Sequence, residues 1–329
     1  MADDNGLGRS MDPKPFRWNM SNRRALLGML ERARVPASAN ERPSLDDMIR
    51  SQTRQDELFA EQLIDLSARI LGYGAGTDLV FVGRSPESIF DLMSGLLYET
   101  RLKQRLILLH FSMRSYNGPR IDWQKARPAI RSYFTILGLD PVSITKRARP
   151  VCFVDVVYKG ITFKNLAEFL EEWCIEAGVD WSRVRKRLRI IGLCWPNKPS
   201  PKTVGWNETE SWGNRIPSRN IKNIVLDPVL WDYLGNRQLK STTSFSPGRW
   251  GDEPVYSPVR NTSTLTGLCS ALYWFELGSQ SPARKSFASR LSQTDAMKEP
   301  EVRGLVLQLR KTGSKASKSR TGSRAYPRR

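Results

Sequence analysis

Blocks of apolar residues alternate with mixed polar segments between about residues 78 and 235. Short apolar runs rich in β-branched residues predict buried strands at 79–82, 105–111, 151–157, 189–195 and 223–227. The segments between them predict helices at 86–97, 123–137, 162–177 and 228–234. Strands that alternate with helices indicate a parallel sheet covered on both faces. We therefore predict an α/β fold with a doubly wound, mostly parallel sheet of about five strands.

The flanking segments predict further helices and long loops. Helices are predicted at 22–34, 44–72 and 264–277, and loops at 196–220 and 237–262, whereas residues 1–20 are polar and expected to be loose. The second helix is predicted to begin at Ser44, because the residues of its first turn are acidic and the helix dipole favours acidic residues there. The chain is accordingly divided into an N-terminal helical cap (1–74), an α/β core (75–235), a loop-rich and helical extension (236–309) and a disordered basic tail (310–329).

The chain is strongly basic. It has 52 Lys and Arg against 33 Asp and Glu, a net charge of +19. The tail contributes eight of these positive charges and no acid, which leaves +11 on the rest. Such a charge favours anionic partners, including nucleotides, phosphates and nucleic acid.

The cysteine and histidine content excludes several kinds of site. The four cysteines form no CxxC pair, which indicates buried free thiols in a reducing compartment. The single histidine, His110, lies in an apolar run, so we expect a structural role for it, and histidine clusters that bind a metal are excluded. The sequence has no apolar stretch long enough to span a membrane and no secretory signal, so a soluble cytoplasmic protein is expected.

The segment 151–163 carries the clearest candidate chemistry. Asp155 lies near the carboxyl end of a buried strand, and a short turn containing Gly160 leads to Thr162, a residue type able to N-cap a helix. The backbone N–H groups of such a turn bind a phosphate, and the carboxylate accepts hydrogen bonds from sugar hydroxyls. This pattern predicts a site for a sugar phosphate.

This turn resembles the signature of the type I phosphoribosyltransferases, over a core that spans about residues 75–200. The resemblance implies that Asp155 binds the ribose hydroxyls of phosphoribosyl pyrophosphate (PRPP) and is the candidate catalytic residue. It also implies that Lys159, Gly160, Ile161 and Thr162 hold the 5′-phosphate, and that Mg²⁺ enters with the substrate. The sequence departs from the signature in three ways: Val156 replaces the second acid, the loop is one residue shorter, and Lys159 replaces a small or acidic residue.

Two further loops fit the same resemblance. Gly83, Arg84 and Ser85 follow an upstream strand, where the family holds pyrophosphate, and Ser85 and Pro86 are predicted as the N-cap and first residue of the next helix. The loop after the second strand lies where the family has a mobile lid, with Arg114, Ser115, Tyr116 and Arg120 as the lid residues. The N-terminal helices then correspond to the family's variable hood. Each loop also has a simpler interpretation, as an ordinary strand–helix connection or surface loop.

Alternative interpretations of the sequence remain open. The first is a catalytically inactive phosphoribosyltransferase-like protein that binds nucleic acid or a nucleotide through its basic surface and tail. Another is an unrelated doubly wound nucleotide-binding domain. Four tryptophans lie among basic residues, as base-stacking residues do, although such tryptophans also pack loops onto a domain; they are Trp206, Trp212, Trp231 and Trp250. The acceptor base is not predicted, and an oligomer is left open.

Overall fold

The computed structural model describes residues 17–18, 23–33, 45–112, 123–196, 206, 215–242 and 260–318. Within these residues a five-stranded sheet has the order β2-β1-β3-β4-β5, and every neighbouring pair of strands is parallel. The strands are β1 (Asp78–Val82), β2 (Leu106–Leu109), β3 (Val151–Val157), β4 (Leu188–Cys194) and β5 (Ile221–Val225). The predicted α/β fold is confirmed.

Helices cover both faces of the sheet. They are α1 (Arg23–Ala33), α2 (Leu45–Leu58), α3 (Ala60–Tyr73), α4 (Glu87–Leu96), α5 (Trp123–Ile136), α6 (Pro141–Lys146), α7 (Ile161–Glu176), α8 (Trp181–Lys186), α9 (Pro228–Asp232), α10 (Thr262–Ser279), α11 (Ser281–Leu291) and α12 (Pro300–Lys318). Short 3₁₀ turns lie at Arg101–Arg105, Ser218–Asn220 and Asp295–Lys298, and a π-helical turn, Tyr233–Arg237, follows α9.

Alternate residues of the strands enter two separate hydrophobic cores, as the two-residue period of a strand requires. In β1, Leu79 and Phe81 pack with α3, α4 and α10–α12, whereas Val80 and Val82 pack with α5–α8. The first core includes residues from three of the four predicted segments of the chain. The division at residues 74, 235 and 309 remains a prediction.

The N-terminal helices lie on the same side of the sheet as α10–α12. Helix α2 contacts α10, and α3 contacts α11 and α4. A third, smaller core joins α1 and Trp18 to one side of α10. Both Arg17 and Trp18 are buried, so the prediction of a loose chain is wrong at these two residues.

Other sequence predictions need correction. The predicted helix 44–72 is two helices that meet at Phe59, whose ring stacks on Tyr233 at 4.4 Å between centroids. Helices α6, α8, α11 and α12 were not predicted. Helix α12 extends to Lys318, beyond the predicted boundary at residue 309. Helix α4 begins at Glu87, with Pro86 at the N-cap position and no capping bond from a side chain, so the predicted cap at Ser85 is wrong.

The four cysteines are free, and Cys152, Cys174 and Cys194 are buried, as predicted. His110 is also buried, and its backbone N–H donates a hydrogen bond to the Tyr133 hydroxyl at 3.1 Å. Among the described helices, none is both long enough and apolar enough to cross a membrane.

Candidate functional site

The two turns predicted to bind phosphate follow neighbouring strands. Strands β1 and β3 are paired, with Phe81 opposite Val154, although β2 lies between them in the sequence. After β1 the chain enters α4 on one face of the sheet, and after β3 it enters α7 on the other. The strand order therefore reverses between β1 and β3, and ligands of open α/β sheets bind in the crevice at such a switch point.

The turn after β1 is held tightly against the end of β2. Gly83 has a φ of 73°, and its N–H donates to the Leu109 carbonyl oxygen at 2.8 Å. A Cβ at this position would lie 3.0 Å from the Phe111 carbonyl oxygen, so the turn requires glycine for both its conformation and its close approach. The following residue, Arg84, is half-buried at the edge of the sheet.

The turn after β3 also depends on a glycine. Gly160 has a φ of 70° and is the N-cap residue of α7, which begins at Ile161. Thr162 is the second residue of that helix, so its predicted role as the N-cap is wrong. The ring of Trp206 packs on Gly160, since a Cβ there would lie 2.3 Å from a ring carbon. The first N–H groups of α7 have no intrahelical acceptor and can bind an anion.

Asp155 is the buried carboxyl group of this site, with 7% of its surface exposed. Its Oδ1 accepts a hydrogen bond from the Val156 N–H at 2.7 Å. Burial raises the pKa of Asp155 to about 8, although that hydrogen bond and the charge of Lys240 act to lower it. The side chain of Val156, where the family signature has its second acid, packs against the core on the opposite face.

A segment distant in sequence forms one side of the site. Residues 238–242, the wall segment, lie against the turn after β1 and the start of α4. Gln238 Nε2 donates to the Ser85 carbonyl oxygen at 2.9 Å, and Arg84 Nη1 donates to the Thr242 carbonyl oxygen at 3.1 Å. The direction of the Arg84 guanidinium is thus set by a backbone carbonyl more than 150 residues away.

Glu87 also holds the C-terminal end of the wall segment. Its Oε1 accepts a hydrogen bond from Thr242 Oγ1 at 2.7 Å, and its Oε2 accepts from the Ser241 backbone N–H at 3.3 Å and hydroxyl at 3.2 Å. Ser241 in turn accepts a hydrogen bond from Arg17 Nε at 2.9 Å. The wall segment is therefore held by buried polar contacts at several points.

Lys240 lies among the charged groups of both turns. Its ammonium donates to the Leu234 carbonyl oxygen at 2.8 Å. Burial lowers the pKa of Lys240 to about 7, while the acids Glu87 and Asp155 act to raise it and Arg84 acts to lower it. We call Arg84, Glu87, Asp155 and Lys240 the switch-point cluster.

The switch-point cluster is suited to binding an anion that also carries hydroxyl groups. Arg84 presents a guanidinium that matches phosphate geometry, and Lys240 gains a full positive charge when an anion approaches. Asp155, held protonated at neutral pH by its raised pKa, can both donate to and accept from a hydroxyl group. The described residues contain no group of three or more His, Cys, Asp or Glu that could hold a metal.

The remaining predicted site residues lie at the surface or outside the described residues. Lys159 is exposed and lies over the ring of Tyr158, with its Nζ 5.9 Å from the centroid, and Ile161 is half-exposed. Ser85 contributes its carbonyl oxygen to the wall segment. The predicted lid residues Arg114, Ser115, Tyr116 and Arg120 lie outside the described residues.

Sequence reasoning missed three groups of the site: Glu87, Lys240 and the remainder of the wall segment. Glu87 was visible as an acid in the first turn of a predicted helix, but that position has an ordinary explanation in the helix dipole. No sequence pattern indicated a role for Lys240, because it lies in a polar stretch whose contacts are with residues far away in the sequence.

A comparison of the chain with protein-family models, curated proteins and solved structures found no match.

Proposed function

We propose that the chain binds PRPP or a related ribose phosphate, carried with Mg²⁺, at the switch point between β1 and β3. The observation that supports this most directly is the position of Lys240 in the wall segment, which binds Arg84 after β1, while the charge of Lys240 also acts on Asp155 in β3. One half-buried cation thus serves both turns, and a ligand whose phosphate and pyrophosphate groups are joined by a ribose needs positive charge in this arrangement.

Each part of the site has a role in this proposal. Asp155 binds the ribose hydroxyls, and residues 159–162 hold the 5′-phosphate with the first N–H groups of α7. Gly83, Arg84 and Ser85 hold the pyrophosphate, and Lys240 balances its charge. Glu87 positions the wall segment through Ser241 and Thr242.

The reaction that fits this ligand is transfer of the phosphoribosyl group to a base. A base nitrogen attacks C1 of the ribose as the bond from C1 to the pyrophosphate oxygen breaks, and pyrophosphate leaves with Mg²⁺. Arg84 and Lys240 stabilise the charge that develops on the leaving group, and the two turns position the substrate. The chain would then be a glycosyltransferase.

A second candidate is a protein that keeps the pocket but does not catalyse transfer. One observation favours it: Val156 faces the opposite core, so Asp155 is the single acid on this part of β3, and its raised pKa keeps it neutral at pH 7. Such a protein would bind a nucleotide at the switch point, or nucleic acid through its basic surface and tail.

Calorimetric titration of PRPP with Mg²⁺ tests the proposal. We expect the wild type to bind and Asp155→Ala and Lys240→Met to lose binding, whereas Asp295→Ala, a change at an exposed carboxylate (side chain 94% exposed), keeps it. Binding by the wild type that is insensitive to Asp155→Ala and Lys240→Met would place the ligand elsewhere. No binding by the wild type would reject the ribose-phosphate proposal.

Pyrophosphate release separates the two candidates. A wild type that binds PRPP and releases pyrophosphate with a nucleobase acceptor is a transferase. One that binds PRPP or a nucleotide, and releases none with any of a panel of bases, is the binding protein.

A further inference from the structure

Aromatic residues lie exposed at the carboxyl edge of the sheet, beside the switch point. Tyr158 and Trp195 directly follow β3 and β4, which are paired to their ends at Val157 and Cys194. Tyr158 is 70% exposed and Trp195 is 38% exposed. Large aromatic side chains are seldom exposed side by side unless the surface binds something.

Trp231 joins the two exposed rings into one surface. Its centroid is 6.1 Å from that of Tyr158 and 5.1 Å from that of Trp195. Its indole N–H donates to the Val157 carbonyl oxygen at 3.2 Å, so its polar end is satisfied and its ring is fixed to the sheet. We call these three residues the aromatic platform.

Two cationic side chains lie near the platform. The ammonium of Lys159 is 5.9 Å from the Tyr158 ring. Arg237 donates to the carbonyl oxygen of Val229, in the same short helix as Trp231, at 3.0 Å. Arg237 also pairs with Asp232, and both of these side chains are partly exposed. The platform therefore combines exposed rings with the positive charge of Lys159, on a chain of net charge +19.

We propose that the aromatic platform binds single-stranded nucleic acid, with unpaired bases stacked on Tyr158 and Trp195 and the backbone phosphates near Lys159 and Arg237. The positive charge of the chain favours binding of a polyanion, and the exposed rings favour a polyanion whose bases have accessible planar faces. A duplex does not fit, because its bases already stack on each other and expose no face.

This inference goes beyond the PRPP pocket, with which the platform surface shares only Lys159. The second candidate function also involves nucleic acid, but there binding is through the basic surface and tail. Here binding is assigned to the aromatic platform. Of the four tryptophans with a base-stacking pattern, it uses Trp231 as the support of the platform. Trp206 instead packs inside on Gly160, while Trp212 and Trp250 lie outside the described residues.

Fluorescence anisotropy with a labelled oligouridylate of about 12 nucleotides, long enough for one binding site, tests the proposal on the full chain. We expect Tyr158→Ala and Trp195→Ala each to weaken binding by about 5-fold to 100-fold, the usual effect of losing one stacked base. Both side chains are exposed, and circular dichroism should show the wild-type fold in each variant.

The matched control is Tyr73→Ala. Tyr73 is 45% exposed and has a lysine ammonium, that of Lys222, 4.5 Å from its ring centroid, but it ends α3, away from the platform. It should leave the affinity unchanged. An equal loss in Tyr73→Ala, or no loss in the two platform variants, would overturn the proposal.

Salt dependence distinguishes the platform from the basic tail. Removing an aromatic ring should leave the slope of log affinity against log salt unchanged, whereas Lys159→Ala should reduce it by about one. Platform variants that bind like the wild type at every salt concentration would assign binding to other basic segments. Uridine monophosphate and a duplex of the same length should compete poorly, and strong competition by the mononucleotide would identify the surface as a nucleotide site.

Discussion

Replacing Asp155 by Asn should stabilise the protein while it removes ligand binding. Asp155 is 7% exposed and its pKa is raised by burial to about 8 from an ordinary value of 3.8. A buried carboxyl group that is needed for function can lower the stability of the fold. A neutral residue of the same shape avoids this loss of stability. An Asn Oδ1 can accept the same hydrogen bond from the Val156 N–H.

The pH dependence has a definite sign. Because the pKa of Asp155 is higher in the folded state, its contribution to stability is fully present below pH 3.8 and is lost as the pH rises towards 8. The free energy of unfolding of Asp155→Asn should therefore equal that of the wild type near pH 4 and exceed it increasingly up to about pH 8. Lys240, whose pKa is lowered to about 7, contributes stability that is present above its ordinary pKa of 10.5 and is lost as the pH falls through 7. To first order this contribution is the same in both proteins.

The size of the effect follows from the change in pKa. A rise from 3.8 to about 8 corresponds to an upper limit of about 6 kcal/mol above pH 8. The pKa of about 8 already includes the attraction between Asp155 and Lys240. Because the surroundings of a buried charge relax, we expect a gain of about 2 kcal/mol.

Urea denaturation followed by tryptophan fluorescence at pH 4, 6, 7 and 8.5 measures this difference. The control is Asp180→Asn, because hydrogen bonds from the Ser182 side chain and backbone lower the pKa of Asp180. Above pH 4, the free energy of unfolding of Asp180→Asn should equal that of the wild type or be lower. An Asp155→Asn variant that is less stable than the wild type at pH 8.5, or whose difference does not change with pH, would refute the reasoning.

Further predictions concern the support of the wall segment. Arg17→Met should destabilise the protein by about 3 kcal/mol in urea denaturation, because it leaves Asp91, a carboxylate 1% exposed that is paired with Arg17, without its partner; a change below 0.5 kcal/mol would show that the pair does not hold the segment. Gly267→Ala should weaken PRPP binding without touching the ligand, because its Cβ would lie 2.2 Å from the Lys240 carbonyl carbon. Its control, Gly304→Ala, has no atom within 4 Å of the new Cβ and should raise stability by up to about 1 kcal/mol with unchanged binding.

Much of the fold could be predicted because each strand has a local signal. Strand β3 has the bounds predicted from its run of apolar and β-branched residues, and β1, β2, β4 and β5 differ from the prediction by about one or two residues at most ends. Strands buried on both faces are continuous apolar runs, so their position does not depend on knowing their neighbours. The helices that were missed also had a readable pattern. In α11, Ala283, Phe287 and Leu291 recur at every fourth position and are buried together.

The break between α2 and α3 had no such signal. At the break, Phe59 stacks on Tyr233, more than 170 residues later in the chain, so a continuous helix was the natural local prediction. The same limit applies to the wall segment, where residues that look like an ordinary polar loop bind the turn after β1 through backbone and side-chain hydrogen bonds. Polar residues that contact each other across a long distance in sequence form no periodic pattern, whereas the prediction of helices and strands relies on periodic patterns.

Helix α4 connects these distant parts of the site. Glu87 and Asp91 lie four residues apart and so share one face of the helix. The first binds the wall segment, and the second pairs with Arg17 from the N-terminal part of the chain. The helix itself packs closely on α10, since a Cβ at Gly95 would lie 2.1 Å from the Phe275 carbonyl oxygen and one at Gly278 would lie 2.3 Å from the Leu92 carbonyl oxygen. A shift of α4 against α10 must therefore move the turn after β1 and the wall segment together, so a substitution at this helix contact should change stability and ligand affinity in parallel.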